Sequence, residues 1–146
     1  MIFISNNAKI RIGIKQGNIY NFSPKSGVGN HYYIVLNKNP KTDEQVFFVY
    51  FTTKKQKVVD FIKIRNFDIL TMVEIKKGEC SFLSKRGETC VNCNYVFGCK
   101  LEELVCLVDN SNGNCGYPPV SASLLERILS GIKLSKMVSK SIKNLL

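Results

Sequence analysis

The sequence predicts a mainly β protein closed by a C-terminal helix, an α+β chain whose strands form a small barrel or sandwich. Three observations predict it. Two apolar runs rich in aromatic and β-branched residues, His31–Leu36 and Val46–Phe51, flank a polar connector that contains Pro40, which reads as a β-hairpin with both strands largely buried. Other short apolar runs follow at regular spacing, separated by turns rich in Gly, Asn, Pro and Lys. Near the end, Leu124, Leu125, Ile128, Leu129, Ile132 and Leu134 form an apolar stripe at helical spacing. A chain of 146 residues accommodates a single domain. The expected layout is a barrel over about residues 8–108 and a helix over about 121–146.

In chain order, Lys9–Phe22 alternates apolar and polar residues, with Ile10, Ile12 and Ile14 on one face. It reads as a half-buried strand, a turn at Gly17-Asn18 and a return strand over Ile19–Phe22. Residues 23–30, SPKSGVGN, form a loop by composition and lead straight into His31. The connector NKNPKTDEQ closes the hairpin. After it, Lys54, Lys55 and Lys57 form a basic run, and strand-like segments are expected over Val58–Ile64 and Ile69–Ile75. Shorter apolar pieces, Cys80–Leu83 and Cys90–Phe97, are joined by the loop Ser84–Thr89. Lys100–Val108 suits either a helical turn or a last strand. An Asn/Gly loop and Tyr117-Pro118-Pro119 then stop regular structure. Ser123 and Glu126 fit a capping box at the start of the final helix, whose basic face carries Lys133, Lys136, Lys140 and Lys143.

The chain carries 21 Lys and Arg against 11 Asp and Glu, a net charge of +10. Such an excess suits a polyanion partner through phosphate contacts and counterion release; the plainer reading is a solvated surface. No apolar run approaches the roughly 20 residues that cross a bilayer, and the N-terminal stretch does not resemble a signal peptide, so no membrane partner and a cytoplasmic location are expected. The six cysteines, Cys80, Cys90, Cys93, Cys99, Cys106 and Cys115, are then reduced thiols that pack as small hydrophobes. Only Cys90 and Cys93 have metal-ligand spacing, and a zinc module built on them with two of the others is the lesser alternative.

Most enzyme classes fit this chain poorly. No HExxH, Walker or GxSxG pattern appears, and no acidic cluster suits a metal-dependent nuclease. Metal-free RNA cleavage does fit, because the substrate's own 2′-hydroxyl attacks its phosphate and the protein supplies a proton acceptor and positive charge. His31, the only histidine, has the near-neutral pKa that proton transfer needs. In an antiparallel hairpin the start of one strand lies beside the end of the next, which brings His31 towards Thr52 and Thr53. Those hydroxyls would hold a phosphate oxygen, while Lys54, Lys55 and Lys25 supply charge and Tyr32 contacts substrate. The bland alternative for His31 is a strand-start histidine bonded to a loop.

The hairpin HYYIVLNKNPKTDEQVFFVYFTTKK resembles the central hairpin of the PemK/MazF family of toxin endoribonucleases. In that family a loop ending in Arg-Pro leads into an AVVLS-type strand, and a second strand ends in a threonine or serine pair. Here Ile34-Val35-Leu36-Asn37 stands where AVVLS stands, and Phe51-Thr52-Thr53 matches the second strand's end. Gly17-Asn18-Ile19-Tyr20, within Ile12–Tyr20, is similar to the family's Gly-Asp-Ile-Val opening strand. The likeness covers roughly residues 10–75. His31 occupies the catalytic arginine's place and Tyr32 the proline's, while the cysteine-rich stretch 80–115 has no counterpart. The resemblance implies an SH3-like barrel, a homodimer with its RNA groove at the interface, a cognate antitoxin (protein or RNA) and no metal or other cofactor. The resulting expectation is a toxin-like endoribonuclease acting on single-stranded RNA. A non-catalytic basic barrel that binds nucleic acid or protein is the main alternative.

Overall fold

A computed structural model describes residues 4–83 and 88–146. The hairpin is its centre. β2 (His31–Val35) and β3 (Val46–Thr52) pair antiparallel with Tyr33 opposite Tyr50 and Ile34 opposite Val49. Asn37, fully buried, staples the connector shut: its Oδ1 accepts from Phe47 N at 2.7 Å, and its Nδ2 donates to Gln45 O and Asp43 Oδ2, each at 2.9 Å. β1 (Ile19–Phe22) pairs with the outer edge of β2. The other edge of β3 is shared. Val46–Phe48 pair with β6 (Phe97–Cys99), and Phe51 and Thr52 pair with β5 (Thr89–Asn92), which in turn carries β4 (Met72–Ile75). The result is a six-stranded antiparallel sheet in an α+β fold, as expected, but it does not close into a barrel.

Alternate residues of the central strands enter two separate cores, as the period of two dictates. Ile34, Val49 and Phe51 meet α4 (Ala122–Leu134) through Leu124, Ile128 and Ile132. Tyr33, Val35 and Phe48 meet the opposite layer, α1 (Asn6–Gly13) and α3 (Leu101–Asn110), through Ile10, Leu104 and Val108. A sheet buried on both faces explains why the hairpin runs are almost uninterruptedly apolar. No helix among the described residues is long and apolar enough to cross a membrane.

Two expected strands are helices. Lys9–Ile14 lies mostly in α1, because the Ser5 side chain caps it by accepting from Ala8 N, and Ile10 and Ile14, four apart, both turn inward. Ile12, which a strand would have buried beside them, is 75% exposed. Likewise the expected strand Val58–Ile64 belongs to α2 (Lys55–Arg65): Val58 and Ile62 are buried, Ile64 is exposed, and Asn66 ends the helix in the left-handed conformation. The expected strand Ile69–Ile75 begins as a 3-10 turn, and Cys80–Leu83 contributes a 3-10 turn rather than a strand. Most of the expected loop 84–89 lies outside the described residues.

The C-terminal helix also differs in detail. Ser121, not Ser123, caps it by accepting from Leu124 N at 3.2 Å, so no capping box to Glu126 forms. It stops at Leu134 rather than running on. Ser135 turns inward, where its Oγ donates to Asn94 Oδ1 at 2.7 Å, and Lys143 of the short α5 (Lys140–Lys143) donates to its carbonyl at 2.6 Å. Lys100–Val108 resolves as helix α3, whose apolar face closes the second core.

Candidate RNA-binding groove

His31 opens β2, held from both sides. Asn30 next to it donates to Asn21 Oδ1 at 3.0 Å and to Ser111 O at 3.2 Å, tying the 23–30 loop to the sheet. Phe22 is its partner on β1. Extending the Tyr33–Tyr50 register by two residues sets His31 opposite Thr52, which is the juxtaposition the hairpin predicts. The imidazole is half-buried, with ring centroids 5.0 Å from Tyr50 and 6.4 Å from Tyr33. Partial burial pushes its pKa below 6.5, and the nearby Lys54 charge pushes it the same way; the Phe51 backbone partly opposes them. At neutral pH this group is a neutral imidazole, suited to accept a proton.

A hollow of about 390 Å³ lies over His31, walled by Tyr33, Tyr50, Tyr95, Phe97, Pro24 and Val28. It adjoins a second, of about 260 Å³, that shares Tyr50 and Tyr95 and is lined further by Thr52, Lys54, Lys57, Phe61 and Asn92. On the other side Val28 is shared with a third, of about 460 Å³, which contains Lys25, Ser26, Asn110 and Ser111. Linked through these shared residues, the three hollows make up a candidate groove with His31 in the middle one, aromatic walls, and lysines in the two flanking hollows. A separate hollow of about 420 Å³ beside Lys76, Lys77 and Thr89 shares no residue with this groove.

The expected site residues divide. His31, Thr52, Lys54 and Lys25 line the groove. Thr52 Oγ1 accepts from Lys54 N at 3.1 Å, a turn that starts α2 and leaves the hydroxyl proton to donate elsewhere. Thr53 is exposed at the bend and lines none of these hollows. Lys55 faces away from them: its Nζ lies 2.9 Å from Glu74 and 3.7 Å from Glu88, which raise its pKa. Tyr32 points through the opposite face of the sheet and packs against Phe82 and Tyr117, with centroids 4.7 and 5.2 Å away. The tyrosine beside His31 is Tyr33, two residues on, as strand alternation requires.

Tyr33, Tyr50, Tyr95, Phe61 and Lys57 are groove residues that sequence reasoning missed. Alternation from His31 and the hairpin register identify the first two; nothing local to Tyr95, Phe61 or Lys57 marks them. Cys90 and Cys93 do not converge on a metal. Cys90 packs with Val58 and Ile62, whereas Cys93 joins the core under α4, and burial pushes their thiols up to about 11 and about 12. Among the described residues no group of three or more His, Cys, Asp and Glu side chains is placed to hold a metal ion.

No protein-family model and no curated protein sequence matches the chain. Solved structures do. An endoribonuclease from a mycobacterial species, in complex with its cognate antitoxin, superposes with a TM-score of 0.52 at 14% identity, over 82% of this chain and 91% of the other. Another mycobacterial endoribonuclease gives 0.51 at 12%, over 82% and 86%. A MazE-MazF structure from Deinococcus radiodurans gives 0.49 at 12%, over 82% and 92%. At these identities the likeness is one of architecture, and it spans most of both partners: the chain has a distant PemK/MazF-like fold.

Proposed function

We propose that the protein is a toxin-type, metal-independent endoribonuclease that cleaves single-stranded RNA in the groove centred on His31. The observation that carries this reading is the convergence, in one aromatic groove, of a neutral imidazole, the Thr52 hydroxyl and the Lys54 ammonium. Aromatic side chains between cations are what an unpaired strand needs: bases stack on the rings and phosphates meet the lysines. Of the two superposed mycobacterial endoribonucleases, one is bound to an antitoxin, which supports a cognate antitoxin here; the homodimer rests on the resemblance of the hairpin.

The chemistry follows from the groups present. His31 takes the proton of the substrate 2′-hydroxyl as that oxygen attacks the adjacent phosphorus. Thr52 donates a hydrogen bond to a phosphate oxygen, and Lys54 neutralises the charge that grows on the five-coordinate phosphorus. The bond to the 5′-oxygen breaks, and imidazolium returns the proton to that leaving oxygen, giving a 2′,3′-cyclic phosphate and a 5′-hydroxyl. Because the nucleophile belongs to the substrate, the step needs no metal.

The test is purified wild type and His31→Ala on a labelled single-stranded RNA with EDTA present. Wild type yields cyclic-phosphate ends, and loss of the base slows cleavage roughly 10²–10⁴-fold while RNA binding persists. Unchanged cleavage by His31→Ala would overturn the assigned role. RNA bound tightly but left intact by wild type would favour a second reading, a non-catalytic binding groove, for which the aromatic walls suffice.

A further inference from the structure

The part of the groove beyond Tyr50 holds a polar group that the cleavage chemistry does not use. Asn92 ends β5. Its neighbour Val91 enters the core, so Asn92 turns to the face shared with Tyr50 and Thr52 and lines the hollow there with Lys54, Phe61 and Tyr95. Asn92 is only 9% exposed, and its amide is oriented from beneath. Oδ1 accepts from the backbone N–H of Asn94 at 3.1 Å and from Asn94 Nδ2 at 3.0 Å. The backbone donor settles which end of the amide is oxygen, because an N–H cannot face an NH₂.

Asn94 is itself locked. Its Nδ2 donates to Thr71 Oγ1 at 2.9 Å, its Oδ1 accepts from Ser135 Oγ at 2.7 Å, and Thr71 Oγ1 donates to Asp68 O at 2.6 Å. This buried chain leaves one end unused. Asn92 Nδ2 has no hydrogen-bond partner among the described residues, and solvent reaches it, since Thr89 Oγ1 is the one sealed side-chain atom left unpaired among them. Over the same hollow stand Tyr95, 45% exposed, and Phe61, with ring centroids 5.1 Å apart. A rigid donor beside an open aromatic wall and two lysines is the equipment for reading one unstacked base.

We infer that this hollow is a nucleobase subsite in which Tyr95 stacks the base and Asn92 Nδ2 donates to the oxygen at position 4 of a pyrimidine. The donor favours uracil, which offers a carbonyl at position 4, over cytosine, which offers an amino group there and would set donor against donor. The subsite rests on the single-stranded RNA reading of the groove, but it is independent of whether His31 cleaves. Lys54 and Lys57 hold the phosphates flanking the base, and the network through Asn94 keeps the donor in place before RNA arrives.

The test is fluorescence anisotropy on the full chain with labelled 2′-O-methyl hexauridylate and hexacytidylate, whose blocked 2′-oxygen prevents cleavage. Wild type binds hexauridylate about 5-fold more tightly, the size of one well-placed hydrogen bond. Asn92→Asp keeps an oxygen for Asn94 and replaces the donor by an acceptor, so the preference disappears or reverses; using the ratio cancels the added charge. Tyr95→Ala, at an exposed position, weakens both oligonucleotides about tenfold and leaves their ratio intact. Equal wild-type affinities, a wild-type preference for cytosine, no binding of either oligonucleotide, or an unchanged ratio in a folded Asn92→Asp protein would each overturn the subsite. Failure to cleave ordinary RNA, with the uracil preference intact, would remove the catalytic reading and leave this one standing.

Discussion

Replacing Asn37 by alanine tests whether the connector staple holds the hairpin that aligns His31 with Thr52. The side chain is fully buried and makes three hydrogen bonds. Truncation strands the Phe47 N–H, whose acceptor is Asn37 Oδ1 at 2.7 Å, and an unpaired buried donor costs about 1–3 kcal/mol. Losing the Nδ2 bond to Gln45 O adds about 0.5–1.5 kcal/mol, while the partly exposed Asp43 carboxylate rehydrates at little cost. The expected loss is therefore about 2–4 kcal/mol. Urea unfolding followed by circular dichroism measures it. With a slope of about 2 kcal/mol/M, the midpoint falls by roughly 1–2 M, whereas the exposed neighbour Asn39→Ala moves stability by no more than about 0.5 kcal/mol. A midpoint for Asn37→Ala indistinguishable from wild type would refute the reasoning, because the connector would then close without its buried staple.

With a single histidine, proton NMR follows His31 directly through its Hε1 resonance. Its midpoint lies below 6.5, and Lys54→Ala raises it without reaching 6.5, since burial is the larger cause and remains. The folded state disfavours the charged imidazole, so His31's contribution to stability is present above pH 6.5 and is lost as the pH falls through the folded pKa. A wild-type midpoint at or above 6.5 contradicts the described surroundings. For RNA binding, Lys54→Ala lowers the salt dependence of log K by about 0.7, one phosphate contact on a single strand, whereas Lys55→Ala leaves it unchanged because Lys55 is engaged by Glu74. The opposite pattern would put the strand on the Lys55 side of α2.

The hairpin was legible because its two runs are apolar on both faces, and only a strand buried between two layers tolerates that. The segments Lys9–Ile14 and Val58–Ile64 were misread for a physical reason. Apolar residues at i and i+4 face the same way in a strand and in a helix, and what separates the two is whether i+2 is buried as well. In Lys9–Ile14 that residue is Ile12, and its exposure depends on α1 having α3 as its partner. Tyr33, by contrast, was readable from His31 by alternation alone.

What the sequence determined by itself is the α+β class, the central hairpin and the pairing of a strand-start histidine with a strand-end threonine, because these depend on period and register within some 25 residues. Tertiary structure decided the rest. Whether the sheet closes depends on β3 dividing one edge between β5 and β6, a choice made by residues 38 or more positions away. The groove's far wall exists because α2 folds back over β5 and brings Phe61 to Tyr95. The adjacent lysines part company for the same reason: Glu74 on β4 captures Lys55 and leaves Lys54 over the groove, since charge placement is settled by which strand lies underneath.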